Sequence, residues 1–173
     1  AGFVVTADDA LAGRLRRLRN NGLADRNSVT EWGLVSRLDS IQAAILLHRL
    51  ERLDGVVAAR RKNALQYRTL LDSSPVFIPP CRPQEFNSFH TFVIQVTRRD
   101  DLQRYLAERG IGTAIHYPVP IHLQPAALAL GHKAGDFPVT ERQAERIITL
   151  PVNQSLSSAQ IDYVATAINE FYA

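Results

Sequence analysis

One segment of the sequence, residues 38–50, constrains the fold more than any other. It follows Ser36-Arg37-Leu38-Asp39, which predicts the start of a helix. The apolar residues of this helix occupy nearly every side: Ile41, Ala43, Ala44, Ile45, Leu46, Leu47 and Leu50. A helix that is apolar all round is typical of the core of a large protein or of a subunit interface. We therefore expect protein mass outside a single 173-residue chain to cover it.

The composition indicates a globular protein, since 46% of the residues are hydrophobic and 21% are charged. There is no run of about 18 apolar residues and no charged-then-apolar leader, so neither a membrane span nor a secretory signal is predicted. The sequence therefore predicts a cytoplasmic protein. Because Cys81 is the only cysteine, disulfide scaffolds and multi-cysteine metal sites are excluded. The absence of Met and the opening Ala1-Gly2-Phe3 predict a fragment or a processed chain.

The charge is mildly basic, with a net charge of +3 and all but two of the 20 cationic residues being Arg. The densest arginine run lies in residues 14–19. Leu11, Leu15 and Leu18 recur at helical spacing along the same segment. Asp8 and Asp9 lie at the start of this helix, as the helix dipole favours. No recognised nucleic-acid motif accompanies the arginines. We interpret them as a solvated helix face and expect no nucleic-acid partner.

The first third of the chain reads as elements of an incomplete core. Residues 3–5 are predicted to end a strand, and a helix follows up to Asn20-Asn21-Gly22. Gly55 is predicted to end the apolar helix, and Val57, Ala64, Tyr67 and Leu71 form the stripe of the next one. We assign residues 1–54 to a domain whose core lies outside this chain.

Residues 55–173 are predicted to form a compact α/β domain with a short sheet and flanking helices. Strands are expected at 76–78, 89–96 and 111–116, and Phe92, Ile94 and Val96 share one face. Helices are expected at 100–109, 139–149 and 157–172, the last opened by a capping box of Ser157 and Gln160.

The densest cluster of polar and aromatic groups is the loop 116–125, directly after the third predicted strand. Its three prolines restrict the backbone, so His116, Tyr117 and His122 are presented with little conformational freedom. That arrangement suits hydrogen bonding to a phosphate or to a sugar hydroxyl. A rigid loop of packed aromatic side chains explains the same pattern equally well. The spacing of the two histidines is not that of a helical metal pair, so no metal site is predicted.

Several blocks, taken together and in order, resemble the C-terminal part of the DegT/StrS-type pyridoxal-phosphate sugar aminotransferases. The blocks are Gly2-Phe3-Val4-Val5-Thr6, residues 15–22, residues 36–46, residues 110–118 with His122, Phe137-Pro138-Val139-Thr140-Glu141, Leu150-Pro151 and Leu156-Ser157. The resemblance covers the chain nearly end to end.

The resemblance implies the fold-type-I aminotransferase architecture, with a remnant of the large domain in residues 1–54 and the small C-terminal domain in residues 55–173. It implies pyridoxal 5'-phosphate as cofactor and a homodimer whose active sites draw on both subunits. The implied reaction moves an amino group from glutamate or a similar donor to a keto-sugar nucleotide. The Schiff-base lysine of the family falls shortly before the position of Ala1, so this chain alone is expected to be inactive. Neither Lys62 nor Lys133 matches it.

The resemblance also implies roles for individual residues. Arg37, His116, Tyr117 and His122 match positions that approach the nucleotide-sugar substrate. No catalytic residue is implied within the chain.

For the cofactor, the resemblance points to Ser36. The family Asn that reaches the cofactor phosphate from the neighbouring subunit is replaced by Val35, which cannot donate a hydrogen bond from its side chain. Two other functions stay open. One is an aminocyclitol or aminobenzoate-type member of the same family, and the other is a non-catalytic regulatory or interaction module.

Overall fold

The structure, a computed structural model, describes residues 2–173; Ala1, the first residue of the predicted large-domain remnant, lies outside them. Two compact units divide the chain, one ending at Leu53 and the other running from Asp54 to Ala173. In chain order the elements are α1 Asp9–Leu18, α2 Ser40–Leu50, α3 Leu53–Leu70, β1 Val76–Phe77, β2 Phe92–Val96, α4 Arg99–Glu108, a 3-10 turn Ile121–Leu123, α5 Pro125–Leu128, α6 Pro138–Arg146, β3 Ile147–Leu150 and α7 Ser158–Tyr172.

In the first unit, the chain after α1 folds back along that helix. Asp8 caps α1 by accepting a hydrogen bond from the backbone N–H of Leu11 at 2.9 Å. The carboxylate of Glu31 then pairs with Nε of Arg14 at 3.2 Å and with Nε of Arg17 at 2.9 Å. Gly22 is required at the turn because its φ is +75° and a Cβ there would lie 1.5 Å from the carbonyl oxygen of Glu31.

Two expectations for the first unit are wrong. The predicted strand at residues 3–5 is irregular and exposed, because no backbone in residues 2–173 pairs with it. Gly55 does not end the apolar helix either. That helix, α2, ends at Leu50, and Gly55 lies in the first turn of α3.

The apolar helix forms as predicted, over Ser40–Leu50, but none of its residues is buried within the described chain. Ile41, Ile45, Leu47 and Leu50 are each more than half exposed. No helix of residues 2–173 is both long and apolar enough to cross a membrane.

The second unit is built on a three-stranded antiparallel sheet in the order β1-β2-β3. Val76 of β1 pairs with Val96, and Ile94 pairs with Ile148 of β3, so β2 is the central strand. As predicted, Phe92, Ile94 and Val96 share one face and are buried in the core.

Helices α3, α4 and α7 supply the other side of this core. Ala64 and Tyr67 of α3 are fully buried, as the predicted stripe requires. The Tyr67 ring stacks on Phe92 with centroids 5.1 Å apart, and its hydroxyl donates to the carbonyl of Pro151 at 2.8 Å. The capping box of Ser157 and Gln160 opens α7, which confirms that prediction.

Two expectations for the second unit are wrong. The predicted helix 139–149 ends at Arg146, and residues 147–150 form β3 instead. The Arg99 guanidinium donates to the carbonyls of Ala144 and Ile147 at 3.2 and 3.0 Å, which satisfies backbone groups that a continuing helix would use.

The predicted strand 111–116 is reduced to a single bridge between Ala114 and Thr149. Its first residue, Ile111, donates its N–H back to the carbonyl of Leu106 at 2.9 Å and so takes part in the turn that follows α4. Beyond the bridge the chain enters the proline-rich loop, where prolines lack the N–H that strand pairing needs.

Candidate functional site

A cavity of about 590 Å³ lies on the face of the sheet opposite the core. Because side chains alternate along a strand, Val93 of β2 and Ile147 of β3 point to this outer face and line the cavity. The remaining lining residues come from the proline-rich loop and from α6: His116, Tyr117, Pro118, Val119, Pro120, Ile121, Gln124, Thr140, Gln143 and Ala144. The predicted loop thus forms one side of a concave site.

His116 and Tyr117, which the sequence predicted to lie in one loop, both line this cavity. Nδ1 of His116 lies 2.9 Å from the hydroxyl oxygen of Thr149, which holds the imidazole at the end of the single bridge. The Tyr117 ring meets the His116 ring edge-on at 5.5 Å and is 74% exposed. The phenol is therefore available to a ligand.

His122 does not line this cavity. Its side chain is buried inside the protein. Its Nε2 is 2.9 Å from Oε1 of Glu141, and the ring packs edge-on against Phe137 at 4.8 Å. The structure thus gives His122 contacts inside the protein, while its neighbours Ile121 and Gln124 line the cavity. Its partner Glu141 lies 19 residues away in the sequence, where no local pattern marks the pair.

Glu141 joins three segments around the cavity. Besides His122, its carboxylate accepts the backbone N–H groups of Gly135, at 2.9 and 3.0 Å, and of Phe137, at 3.3 Å. The hydrogen bond from His122 is the largest cause that lowers the pKa of Glu141; desolvation opposes it and the two backbone donors add to it. Glu141 is therefore an anion near the N-terminus of α6, where the helix dipole also favours negative charge.

The other two predicted contact residues, Arg37 and Ser36, belong to the first unit. Arg37 is exposed, and Ser36 donates its backbone N–H to the carbonyl of Arg19 at 2.9 Å. Ser36 also lines a second cavity, of about 870 Å³, together with Arg16 and Arg19. Val35 is exposed and forms a bridge with Asn20.

The described residues do not by themselves fit pyridoxal 5'-phosphate. The cofactor needs a lysine amine and a carboxylate at its pyridine nitrogen, and neither of these two cavities is lined by a lysine or by an acidic residue of 2–173. Lys62 is exposed on α3, and Lys133 lies in a turn where its N–H donates to Asp136. Within residues 2–173 there is also no group of three or more His, Cys, Asp or Glu placed to hold a metal ion.

The sequence matches the model of the DegT/DnrJ/EryC1/StrS aminotransferase family over residues 1–169. The chain belongs to this family. The family resemblance in the sequence blocks is thereby confirmed, and with it the dependence of the family on pyridoxal phosphate.

Curated members of the DegT/DnrJ/EryC1/StrS family match almost the whole chain. The erythromycin biosynthesis sensory transduction protein EryC1 of Saccharopolyspora erythraea is 40% identical over 96% of this chain and 46% of its own length. The dTDP-3-amino-3,4,6-trideoxy-alpha-D-glucose transaminase of Streptomyces venezuelae is 39% identical over 98% of this chain and 45% of its own length. The chain thus spans under half the length of these relatives.

Solved structures of the family share the fold. The crystal structure of S. venezuelae DesV in complex with a ketimine intermediate superposes with a TM-score of 0.89 at 38% identity, covering 96% of this chain and 45% of DesV. A DegT/DnrJ/EryC1/StrS aminotransferase from Brucella abortus gives a TM-score of 0.86 at 32% identity, over 97% of this chain and 45% of its own. The predicted α/β fold class is confirmed.

Proposed function

We propose that this chain is the C-terminal part of a sugar-nucleotide aminotransferase. In this proposal residues 55–173 are the small domain, and residues 1–54 are a remnant of the large domain with its linking helix. The whole enzyme moves an amino group from glutamate or a similar donor to the keto carbon of a nucleotide sugar, using pyridoxal 5'-phosphate. The similarity to sugar-nucleotide transaminases over nearly the entire chain is the observation that carries the proposal.

The side chains have separate roles in this proposal. Tyr117 and His116 contact the substrate, since both line the cavity and Tyr117 is exposed. Arg37 supplies a cation for the substrate phosphates, and Ser36 contacts the cofactor phosphate. His122 acts on the substrate through the loop that it anchors to Glu141.

The enzyme in this proposal is a cytoplasmic homodimer with shared active sites. Support for a second subunit comes from α2, whose apolar side chains are exposed in the described chain. Burying a set of this size against a partner would be favourable by roughly 25 cal/mol for each Å² of apolar surface removed from water.

The test is a transamination assay on the full-length gene product. Loaded with cofactor, it should accept an amino group from glutamate and pass it to a keto-sugar nucleotide, each half-reaction being followed by the absorbance of the cofactor. Turnover with a keto-cyclitol and none with any nucleotide sugar would favour the aminocyclitol-type alternative. Absence of both half-reactions would overturn the proposal.

A regulatory module is the second candidate, because two relatives carry regulatory names. These are EryC1 and the pleiotropic regulatory protein of Geobacillus stearothermophilus, which is 38% identical over 99% of this chain. The gene sequence upstream of Ala1 separates the candidates, since a lysine-bearing segment there favours the enzyme and a start codon at Ala1 favours the module.

A further inference from the structure

The cavity on the outer face of the sheet is electrically neutral. Among residues 2–173, those that line it include no Asp, Glu, Lys or Arg. Nδ1 of its one imidazole, in His116, is already paired with Thr149, and the nearby His122 is paired with Glu141. Residues 2–173 therefore bring no permanent cation to a ligand in the cavity.

This neutrality argues against a diphosphate in the cavity. Protein sites for phosphates use Arg or Lys side chains or helix N-termini, whose charge-assisted hydrogen bonds offset the loss of hydration. A diphosphate placed here would exchange water for apolar and neutral groups, and the anionic Glu141 lies on the same helix as the lining residues Thr140 and Gln143. Desolvating a charge without a partner is strongly unfavourable.

The lining instead combines apolar surfaces with neutral groups that both donate and accept hydrogen bonds. Pro118 and Pro120 present rigid apolar rings on the loop side. Thr140 and Gln143 stand three residues apart on α6, so their side chains are neighbours on one helix face. A hydroxyl and an amide supply donors and acceptors without charge.

We propose that this cavity takes the uncharged ring of the nucleotide sugar, and that the diphosphate lies outside it. The inference rests on the proposed function. Thr140 and Gln143 determine specificity by reading the polar edge of the ring, while the prolines and Ile147 contact its faces. The volume of about 590 Å³ falls within the range of small-molecule sites. Both the nucleobase and the sugar have this chemistry, and the experiment distinguishes them.

The test is an NMR titration of the ¹⁵N-labelled 173-residue chain with three separate probes: thymidine, a methyl 6-deoxyhexoside and sodium pyrophosphate, all at one ionic strength. We expect thymidine or the hexoside to shift the amides of Gln124, Thr140 and Gln143, and the probe that does so identifies the ring. Pyrophosphate should leave these amides unshifted. Shifts with pyrophosphate alone, or with none of the probes up to their solubility limits, would overturn the inference.

Variants connect the shifts to the side chains. Gln143→Leu should weaken binding of the neutral probe by about three- to tenfold, the loss expected for one net hydrogen bond. Thr140→Val, which keeps the side-chain shape, serves as a second variant if Gln143→Leu perturbs the fold. Gln154→Leu, at an exposed position away from the cavity, is the matched control. Unchanged affinity in both Gln143→Leu and Thr140→Val would contradict the assignment.

The two proposals fail separately. Binding of the neutral probe by a protein whose full-length form does not transaminate would overturn the proposed function alone. An active full-length enzyme whose cavity binds pyrophosphate would overturn this inference alone.

Discussion

At the scale of single residues, the pair of His122 and Glu141 determines how the cavity is held. His122 anchors the loop that carries His116 and Tyr117, and Glu141 sits on the helix that carries Thr140 and Gln143. A contact of 2.9 Å between the two side chains therefore links both sides of the cavity. Hydrogen-bonded side chains of this kind restrict local motion.

The charge of Glu141 predicts a pH-dependent contribution to stability. Since the folded state lowers its pKa below the ordinary 4.5, the contribution is present above the unfolded pKa and is lost as the pH falls through the lowered folded value. Glu141→Gln should therefore reduce the free energy of unfolding most at neutral pH, and its difference from wild type should shrink on acidification. Urea denaturation across this pH range measures it.

The control is Glu145→Gln, an exposed position on the same helix. It should follow wild type at every pH. A difference between wild type and Glu141→Gln that stays constant down to acid pH would show that the carboxylate charge is not the cause.

Tyr67 carries a second residue-scale prediction. Its phenol is buried, which raises its pKa, and its hydroxyl donates to the Pro151 carbonyl. Tyr67→Phe keeps the stacking on Phe92 but leaves that carbonyl without its donor, so we expect a loss of about 1 kcal/mol in unfolding free energy. Tyr117→Phe, at an exposed phenol, should change stability by only a few tenths of a kcal/mol. Thermal and urea denaturation measure both variants. Equal losses of unfolding free energy in Tyr67→Phe and Tyr117→Phe would contradict the assignment.

At the scale of elements, Arg99 separates α6 from β3. Its side chain is 11% exposed, and it donates to carbonyls at the end of α6 and the start of β3. Arg99→Met retains the apolar stem and removes these donors. We expect urea denaturation to show a loss of about 1.5–3 kcal/mol in unfolding free energy, the range for hydrogen bonds to charged groups. Hydrogen exchange should quicken at Ile147 and Ile148. Arg104→Met, at a side chain that is 76% exposed, is the matched control and should change neither measurement.

At the scale of the whole molecule, the exposed apolar helix α2 predicts association. Ile41 and Ile45, one helical turn apart, are 72% and 55% exposed, and contiguous apolar patches of this kind mark interfaces. Sedimentation velocity of the 173-residue chain should show concentration-dependent oligomers. Ile45→Lys should weaken them, whereas Leu130→Lys, at an 82% exposed leucine of the second unit, should not. A concentration-independent monomer with slow hydrogen exchange along α2 would contradict this.

The lysine inventory predicts the behaviour of the chain without the rest of the enzyme. Lys62 and Lys133 are its only lysines, and neither lines the cavities described above. Mixed with pyridoxal phosphate and reduced with borohydride, the 173-residue chain should yield no single stoichiometric lysine adduct by mass spectrometry, and it should not transaminate. A stoichiometric adduct at either lysine, together with turnover, would overturn the prediction.

The sequence by itself determined those features whose signals are local. Asp8 and the Ser157-Gln160 capping box determine where α1 and α7 begin, because each cap satisfies N–H groups within the next turn. The alternation of apolar residues determined which face of β2 is buried. The order of the family blocks determined the fold class and the loop that contains His116 and Tyr117.

The tertiary structure alone decided what depends on partners distant in sequence. Residues 147–150, apolar except for Thr149, continue a helix as readily as they form a strand. Only pairing with β2 and the donors of Arg99 make them β3. Likewise, the loop pattern predicted His122 as a ligand contact. In the structure the His122 ring pairs instead with Glu141, 19 residues further along the chain. Local patterns specify periodicity and caps. A paired strand, or a contact such as that of His122 with Glu141, exists only once distant parts of the chain have come together.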